Sequence, residues 1–293
     1  MTALHNLLSD NTALFLVFVT VLGMMVGSFL NVVIYRLPIM LKQQWAEECR
    51  ELLEPGGAPP PDHGSGFSLI APRSACPQCG HQITALENIP VISYLFLRGR
   101  CSACGSSISV QYPLVEMATG ITSLLVAWRF GYTMQAAAAL PLVWALIALA
   151  VVDFHQKLLP DAITLPFVWA GLLVNLGGLF TDLESAVLGA IFGYLSLWIV
   201  YHVFKKLTGK EGMGYGDFKL LAMLGAWLGW QSLPLIIILS ALVGAVTGIA
   251  LMAILGRDRN VPIPFGPFLA AAGLIALLWG PQISRAYLDY STH

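Results

Sequence analysis

The sequence predicts an all-α polytopic membrane protein, with about eight transmembrane helices and a small cytosolic zinc-binding domain between the first and second. Three observations carry this. The chain of 293 residues is 57% hydrophobic and only 11% charged, with a mean hydropathy of +0.75, outside the range of ordinary soluble domains. Long apolar runs recur along it and are interrupted by one long polar stretch at 36–112. That stretch holds two Cys-x-x-Cys pairs, a spacing suited to a structural metal site. The formal net charge is −1 and no basic run has interleaved aromatics, so nucleic acid is not an expected partner.

The first span is expected at about Ala13 to Ile34. Met1 to Asn11 contains no Lys or Arg, so it lacks the n-region of a cleaved signal peptide, and the run reads as a retained span. It ends in Gly27-Ser-Phe-Leu-Asn-Val-Val-Ile-Tyr-Arg-Leu-Pro38, where Gly27 and Ser28 suit close helix packing. Asn31 suits either interhelical hydrogen bonding or the lining of a site. Within 36–112, the patch from Glu54 to Asp62 is rich in Gly and Pro and reads as a loop or linker. Seven further spans follow near 113–130, 134–153, 162–180, 185–204, 213–229, 233–255 and 264–280. The expected organisation is therefore 1–35 as the first helix, 36–112 as the cytosolic tetracysteine domain, and 113–293 as a seven-helix membrane domain.

Charge placement sets the orientation. An eight-span path puts Arg36, Lys42, Arg50, Arg73, Arg98, Arg100, Lys157, Lys205, Lys206, Lys210, Lys219, Arg257 and Arg259 on the side of the 36–112 domain, leaving Arg129 and Arg285 opposite. Positive residues favour the cytosolic side, which puts 36–112 and the loops at 154–161, 205–212 and 256–263 in the cytosol and both termini in the periplasm.

The stretch Gly212-Met-Gly-Tyr-Gly-Asp217-Phe-Lys219 places a carboxylate among glycines at the edge of an apolar run. That run, Leu220 to Gly229, is ten residues long, and at about 1.5 Å per residue it reaches roughly half of a ~30 Å hydrocarbon core. The segment must therefore draw Asp217 and Lys219 into the membrane boundary, or else be re-entrant and line a polar cavity. An ionised Asp costs roughly 2.5–3.5 kcal/mol at the centre of a membrane helix, which makes Asp217 a functional candidate. The plainer alternative is a boundary Asp paired with Lys219.

The third span ends in Val151-Val-Asp153-Phe-His-Gln-Lys-Leu-Leu-Pro160-Asp161. Topology brings Asp153 and Asp217 to the same depth on the same side. Two carboxyls facing each other in low dielectric cannot both ionise easily, so such a pair shares a proton. That state suits hydrolysis, with one carboxylate taking a proton from water while the other donates to the carbonyl oxygen. Other polar residues have simpler roles: Asp161 is expected to cap the fourth span, His155 to be a solvated loop residue, and Glu116 to face a polar cavity or the membrane boundary. Asp10, Asp182 and Glu184 fall in outward loops where no chemistry is expected. The glycines at 212, 214 and 216 serve helix packing, or a backbone that bends and admits a substrate strand.

In the polar stretch, Cys76-Pro-Gln-Cys79-Gly-His81 and Cys101-Ser-Ala-Cys104-Gly105 are separated by 21 residues. Two short turns, each followed by Gly, allow Cys76, Cys79, Cys101 and Cys104 to converge tetrahedrally on one Zn2+. A segment this short and loop-rich has little core, so the metal is expected to supply folding free energy. A redox dithiol is the alternative, and the absence of a βαβ pattern weighs against it. Cys49 stands apart, and His81 is expected to support the site or to be solvated.

These motifs resemble a known family. Gly214-Tyr-Gly-Asp217 is similar to the G-x-G-D signature of intramembrane aspartyl proteases, a signature shared with presenilin-like proteases. Asp153 through Leu-Pro-Asp161 resembles the partner segment of type IV prepilin peptidases. The likeness extends from the Gly27 to Pro38 segment, through Cys-Pro-x-Cys-Gly-His and Glu87-Asn-Ile-Pro90, to the last spans, and the tetracysteine domain favours the prepilin branch. The resemblance implies a bifunctional enzyme of the bacterial inner membrane. It would remove the basic leader of type IV prepilins and type II secretion pseudopilins, then methylate the new N-terminus from S-adenosylmethionine. It also implies Asp153 and Asp217 as the catalytic pair, and Gly99 and Arg100 in Leu97-Arg98-Gly99-Arg100 as methylation-associated. Arg98 and Arg100 equally suit anionic lipid headgroups. No Rossmann-type fingerprint locates the cofactor. An ion-coupled transporter and a membrane scaffold with a zinc interaction domain are the rival readings. The first usually places acids near the midplane, and the second leaves the costly carboxylates unexplained.

Overall fold

The computed structural model describes residues 8–53, 67–210, 212–255 and 263–291. The expected Glu54 to Asp62 linker and the loop carrying Arg257 and Arg259 lie essentially outside them. The chain divides into two compact units, Met1–Leu124 and Leu125–His293. Among the described residues the elements are helical, and the only β pairing is two isolated bridges.

The first unit is built on α1 (Thr12–Leu53), the five-residue α2 (Ile92–Phe96) and the start of α3 (Gln111–Phe130). The helix of the first expected span does not stop near Ile34: α1 runs for 42 residues, on through Pro38. Proline removes one helix hydrogen bond, and the following Leu-Lys-Gln-Gln-Trp-Ala-Glu-Glu tract consists mostly of strong helix formers, so the helix carries on as an exposed polar extension. Small residues bring α1 and α3 together. A Cβ on Gly27 would lie 2.8 Å from the Glu116 Cα, and one on Gly120 would lie 2.6 Å from Met24 Cγ. Arg36 is buried and donates to the carbonyls of Ser68 (2.8 Å) and Pro72 (2.6 Å), with its guanidinium over the Phe67 ring. This arginine, read above only as a cytosolic charge, ties the cysteine-bearing segment to α1.

The second unit contains α4 (Met134–Gln156), α5 (Asp161–Asn175), α6 (Leu183–Thr208), α7 (Tyr215–Leu228), a 3-10 turn (Trp230–Ser232), α8 (Leu233–Leu255) and α9 (Gly266–Ser291). Among the described residues, five helical segments are long and apolar enough to cross a membrane: Thr12–Leu53, Met134–Gln156, Leu183–Thr208, Trp230–Ile254 and Gly266–Tyr287. The helices α3, α5 and α7 occupy the other segments picked out by hydropathy. With 14 residues, α7 is about 21 Å long, shorter than a ~30 Å hydrocarbon core.

That short helix is the centre of the unit. It packs against α6, α5 and α9, and every residue from Leu220 to Trp227 is buried. Its far end is pinned by Asn175, whose Nδ2 donates to the carbonyls of Ala226 (2.9 Å) and Trp227 (3.0 Å) while its Oδ1 accepts from Phe180 and Thr181. Trp227 Nε1 donates to the Phe167 carbonyl at 2.7 Å. Asp182 caps α6 by accepting from the Ser185 amide, a bond that holds its carboxyl below the usual range. Along the α6–α7 seam the two backbones touch: a Cβ on Gly225 would lie 2.1 Å from the Gly189 carbonyl oxygen. Gly225→Ala is therefore expected to destabilise the protein by about 1–3 kcal/mol, as overpacking does. Gly177→Ala, whose Cβ meets nothing nearer than 3.8 Å, is expected to be neutral in the same thermal unfolding measurement in detergent.

Candidate functional site

Asp153 lies in the last turn of α4, which ends at Lys157 in the left-handed conformation (φ 53°), with the Lys157 amide bonded to the Asp153 carbonyl. The chain then crosses Leu158-Leu159-Pro160 into α5. Asp217 lies in the first turn of α7, after Gly214 in extended conformation. Both aspartates are buried, each 6% exposed, and they flank one side chain: Gly266, which touches Asp153, and Gly216, the neighbour of Asp217, both lie against Leu159. The structure thus brings together the two carboxylates singled out in the sequence.

Each is held by a backbone amide at the start of a helix. Gly266 N donates to Asp153 Oδ2 at 2.9 Å, and Gly214 N donates to Asp217 Oδ2 at 3.2 Å. Orphan amides of a first helical turn are natural partners for a carboxylate. Gly266 was not singled out in the sequence. Its signal was Phe265-Gly266-Pro267, where Pro sits at a helix start. A Cβ on Gly266 would stand 2.6 Å from Asp153 Oδ2, so only glycine allows this approach. Leu159 fills the space between the elements, because a Cβ on Gly216 would lie 2.7 Å from its Cβ and one on Gly266 would lie 3.2 Å from its Cδ2.

The three glycines before Asp217 have separate duties. Gly212 lies against the Phe204 ring, Gly216 against Leu159, and Gly214 supplies the amide that holds the acid. Lys219 does not pair with Asp217. Its ammonium lies 2.7 Å from both oxygens of Asp161. Asp161 is therefore not the cap expected of it: it already stands inside α5, Pro160 occupies the cap position, and the carboxylate turns to Lys219. His155 is exposed as expected, but it lies in the last turn of α4 rather than in a loop.

In the first unit the four cysteines converge. Their sulfurs all lie within 4.8 Å of one another, and Cys76–Cys104 and Cys79–Cys101 are each 3.9 Å apart. Sulfurs at the corners of a tetrahedron with Zn–S bonds of ~2.3 Å stand about 3.8 Å apart, so the donor set fits a metal ion of zinc's size and softness. The two knuckles are built alike. The Cys76 amide bonds to the His81 carbonyl and the Gly80 amide to the Cys76 carbonyl; likewise, the Cys101 amide bonds to the Ser106 carbonyl and the Gly105 amide to the Cys101 carbonyl. Gly80 (φ 72°) and Gly105 (φ 71°) take the left-handed position that each turn requires. Cys49 is exposed on α1 and is not part of the cluster.

Glu87 fastens the two knuckles together. It accepts from the Ser102 hydroxyl and from the amide and hydroxyl of Thr84 (both 2.8 Å), and it lies 3.3 Å from His81 Nε2. The Ser102 hydroxyl, followed by the Thr84 donors, lowers the Glu87 pKa to about 2. Gly99 is buried in left-handed conformation (φ 67°) against the Tyr94 hydroxyl, and Arg100 is exposed beside it. Asn31 donates to the carbonyls of Gly27 and Tyr112, which makes it an interhelical link. Glu116 is buried and accepts the Val91 amide.

Comparison with known proteins identifies the family. The bacterial Peptidase A24 N-terminal domain profile matches residues 21–130, and that of the type IV leader peptidase family matches residues 140–249. A "Prepilin leader peptidase/N-methyltransferase" of Stutzerimonas stutzeri is 55% identical over 97% of both chains. Proteins of the same name from Pseudomonas aeruginosa and Pseudomonas putida are 53% and 55% identical over 98% and 96% of both chains. No solved structure matches the chain at a significant level. With two profiles in chain order and relatives this similar from end to end, the chain belongs to the type IV leader peptidase family.

Proposed function

We propose that this protein cleaves the basic leader of type IV prepilins and type II secretion pseudopilins with Asp153 and Asp217, then methylates the new N-terminal amine. The observation that carries the reading is the convergence of these two buried carboxyls from separate helices, each held by a glycine amide at a helix start. Held in this way, one carboxylate removes a proton from the attacking water while the other protonates the scissile carbonyl oxygen. No covalent intermediate is required. Collapse of the tetrahedral species returns a proton to the leaving amine and frees the leader.

S-adenosylmethionine supplies the methyl group, and Gly99 and Arg100 are the residues assigned to that activity. Zn2+ held by Cys76, Cys79, Cys101 and Cys104 fixes the fold around them. The protein is placed in the inner membrane as a multi-pass protein of eight spans, with residues 36–112 cytosolic, both termini periplasmic and cleavage at the cytosolic face. Membrane lipid is its surroundings, and nucleic acid has no part. Incubation of purified protein with a prepilin, with and without S-adenosylmethionine, is expected to give leader loss in both cases and one added methyl only with the cofactor. Mass spectrometry reads the two separately, and an intact prepilin in both would end the proposal.

A further inference from the structure

Among the described residues, three non-glycine residues have positive φ: Val91 (61°), Arg98 (50°) and Lys157 (53°). Lys157 closes the helix that carries Asp153. The other two bracket α2, and Gly99 (φ 67°) follows immediately. For a β-branched residue such as Val91 this conformation is an outlier, and it persists only where its surroundings over-determine it.

The surroundings are explicit. The Val91 amide donates to Glu116 Oε2 at 2.7 Å, across 25 residues of chain. Glu116 is 8% exposed and cannot retreat, because its Cα lies against Gly27 of α1. Ser28, next to Gly27 on α1, donates its hydroxyl to Asn88 Oδ1 at 3.3 Å, three residues before Val91. From Val91 the connection onward is continuous. Leu95 N bonds to the Val91 carbonyl (3.1 Å), Leu97 N to the Ser93 carbonyl (2.9 Å), Gly99 N to the Tyr94 carbonyl (2.9 Å) and Ile108 N to the Gly99 carbonyl (2.7 Å). A helix of five residues is too short to hold itself, so its placement is set from its ends. One end rests on Glu116, and the other is the Arg98–Arg100 turn leading into Cys101.

We infer that Glu116 is a positioning residue for methyl transfer: its carboxylate captures the Val91 amide and so fixes α2 and the turn at Gly99 and Arg100. The inference rests on the reading of that turn as methylation-associated. It assigns a task to a buried acid that the aspartate pair does not use.

The test uses full-length membrane protein carrying Glu116→Ala or Glu116→Gln. A synthetic pilin N-terminal peptide that already lacks its leader is incubated with methyl-labelled S-adenosylmethionine, and cleavage of intact prepilin is followed in parallel. Glu116→Ala is expected to lower methylation by roughly 10²-fold, the cost of a ~1 Å misplacement of reacting groups, with cleavage and zinc content near wild type. Hydrogen exchange at 91–99 is expected to quicken in the same variant. Glu116→Gln keeps an oxygen that accepts the Val91 amide, and it is expected to restore both methylation and slow exchange. Unchanged exchange at 91–99 in Glu116→Ala overturns the inference, as does an equal loss in Glu116→Gln or a fall in cleavage that tracks the fall in methylation. Gly99→Ala tests the underlying reading separately. Full methylation in that variant overturns the assignment of the turn, while the exchange comparison still decides whether Glu116 holds α2.

Discussion

Asp153→Asn and Asp217→Asn are each expected to abolish leader cleavage, a loss of at least roughly 10²–10⁴-fold for a general acid or base, while expression and membrane insertion persist. Asparagine preserves the shape of each side chain and its acceptor oxygen, so the bonds from Gly266 and Gly214 survive and only proton exchange is removed. Hydrolysis needs an acid and a base from the same pair, so losing either costs nearly as much as losing both, and the double variant is expected to be little worse than the singles. Asp161→Asn makes a demanding control. Asp161 lies close in sequence to Asp153 and bonds Lys219 two residues from Asp217, yet the pair is half-exposed, and such ion pairs contribute only about 0–1 kcal/mol. That variant is expected to retain cleavage. In wild-type protein, a proton shared by two interacting carboxyls gives a bell-shaped pH–rate profile whose limbs belong to the pair. Robust cleavage by either single aspartate variant, free of contaminating wild-type enzyme, would sink the aspartate-pair reading.

The pair was legible because its cost is local. An acid beside an apolar run too short to span a membrane is conspicuous in sequence alone, and a second acid at the same topological depth supplies its partner. The cysteine cluster was legible for the same reason, since each knuckle is a self-contained turn with its own glycine. The residues that hold these groups were harder to see. Gly266 meets Asp153 across 113 residues, and Leu159 touches glycines from two different helix starts, contacts that leave no periodicity behind. Glu116 read only as an acid facing a polar cavity or the membrane boundary because its partner is a backbone amide, and a backbone amide has no letter in the sequence. The continuation of α1 past Pro38 was missed because the first helix was bounded by its apolar run, whereas the helix-forming tract after Pro38 decides where it ends.

Removing the metal is expected to have the other large effect. About one Zn2+ per chain should be found by elemental analysis of purified protein, and Cys76→Ser/Cys104→Ser should abolish it, since that variant keeps only two of four thiolates. Structural zinc contributes apparent binding free energies of about 10–16 kcal/mol in small peptides, and here the knuckles have little else to hold them. Most side chains from Ala71 to Gln82 are exposed or half-exposed, and beyond the bonds of Glu87 with His81 and Ser102 little joins one knuckle to the other. Limited proteolysis should therefore cut the apo variant within 70–110, while α1, joined to this segment through Arg36, and the second unit stay intact. Methyl transfer is expected to fall with metal content, because Arg100 adjoins Cys101 and Gly99 is tied to Ile108 across the second knuckle. Cys49→Ser, on the exposed part of α1, should leave zinc and protease resistance unchanged. Full zinc content in the double variant would refute the four-thiolate site, and an unchanged cleavage pattern would refute its structural role.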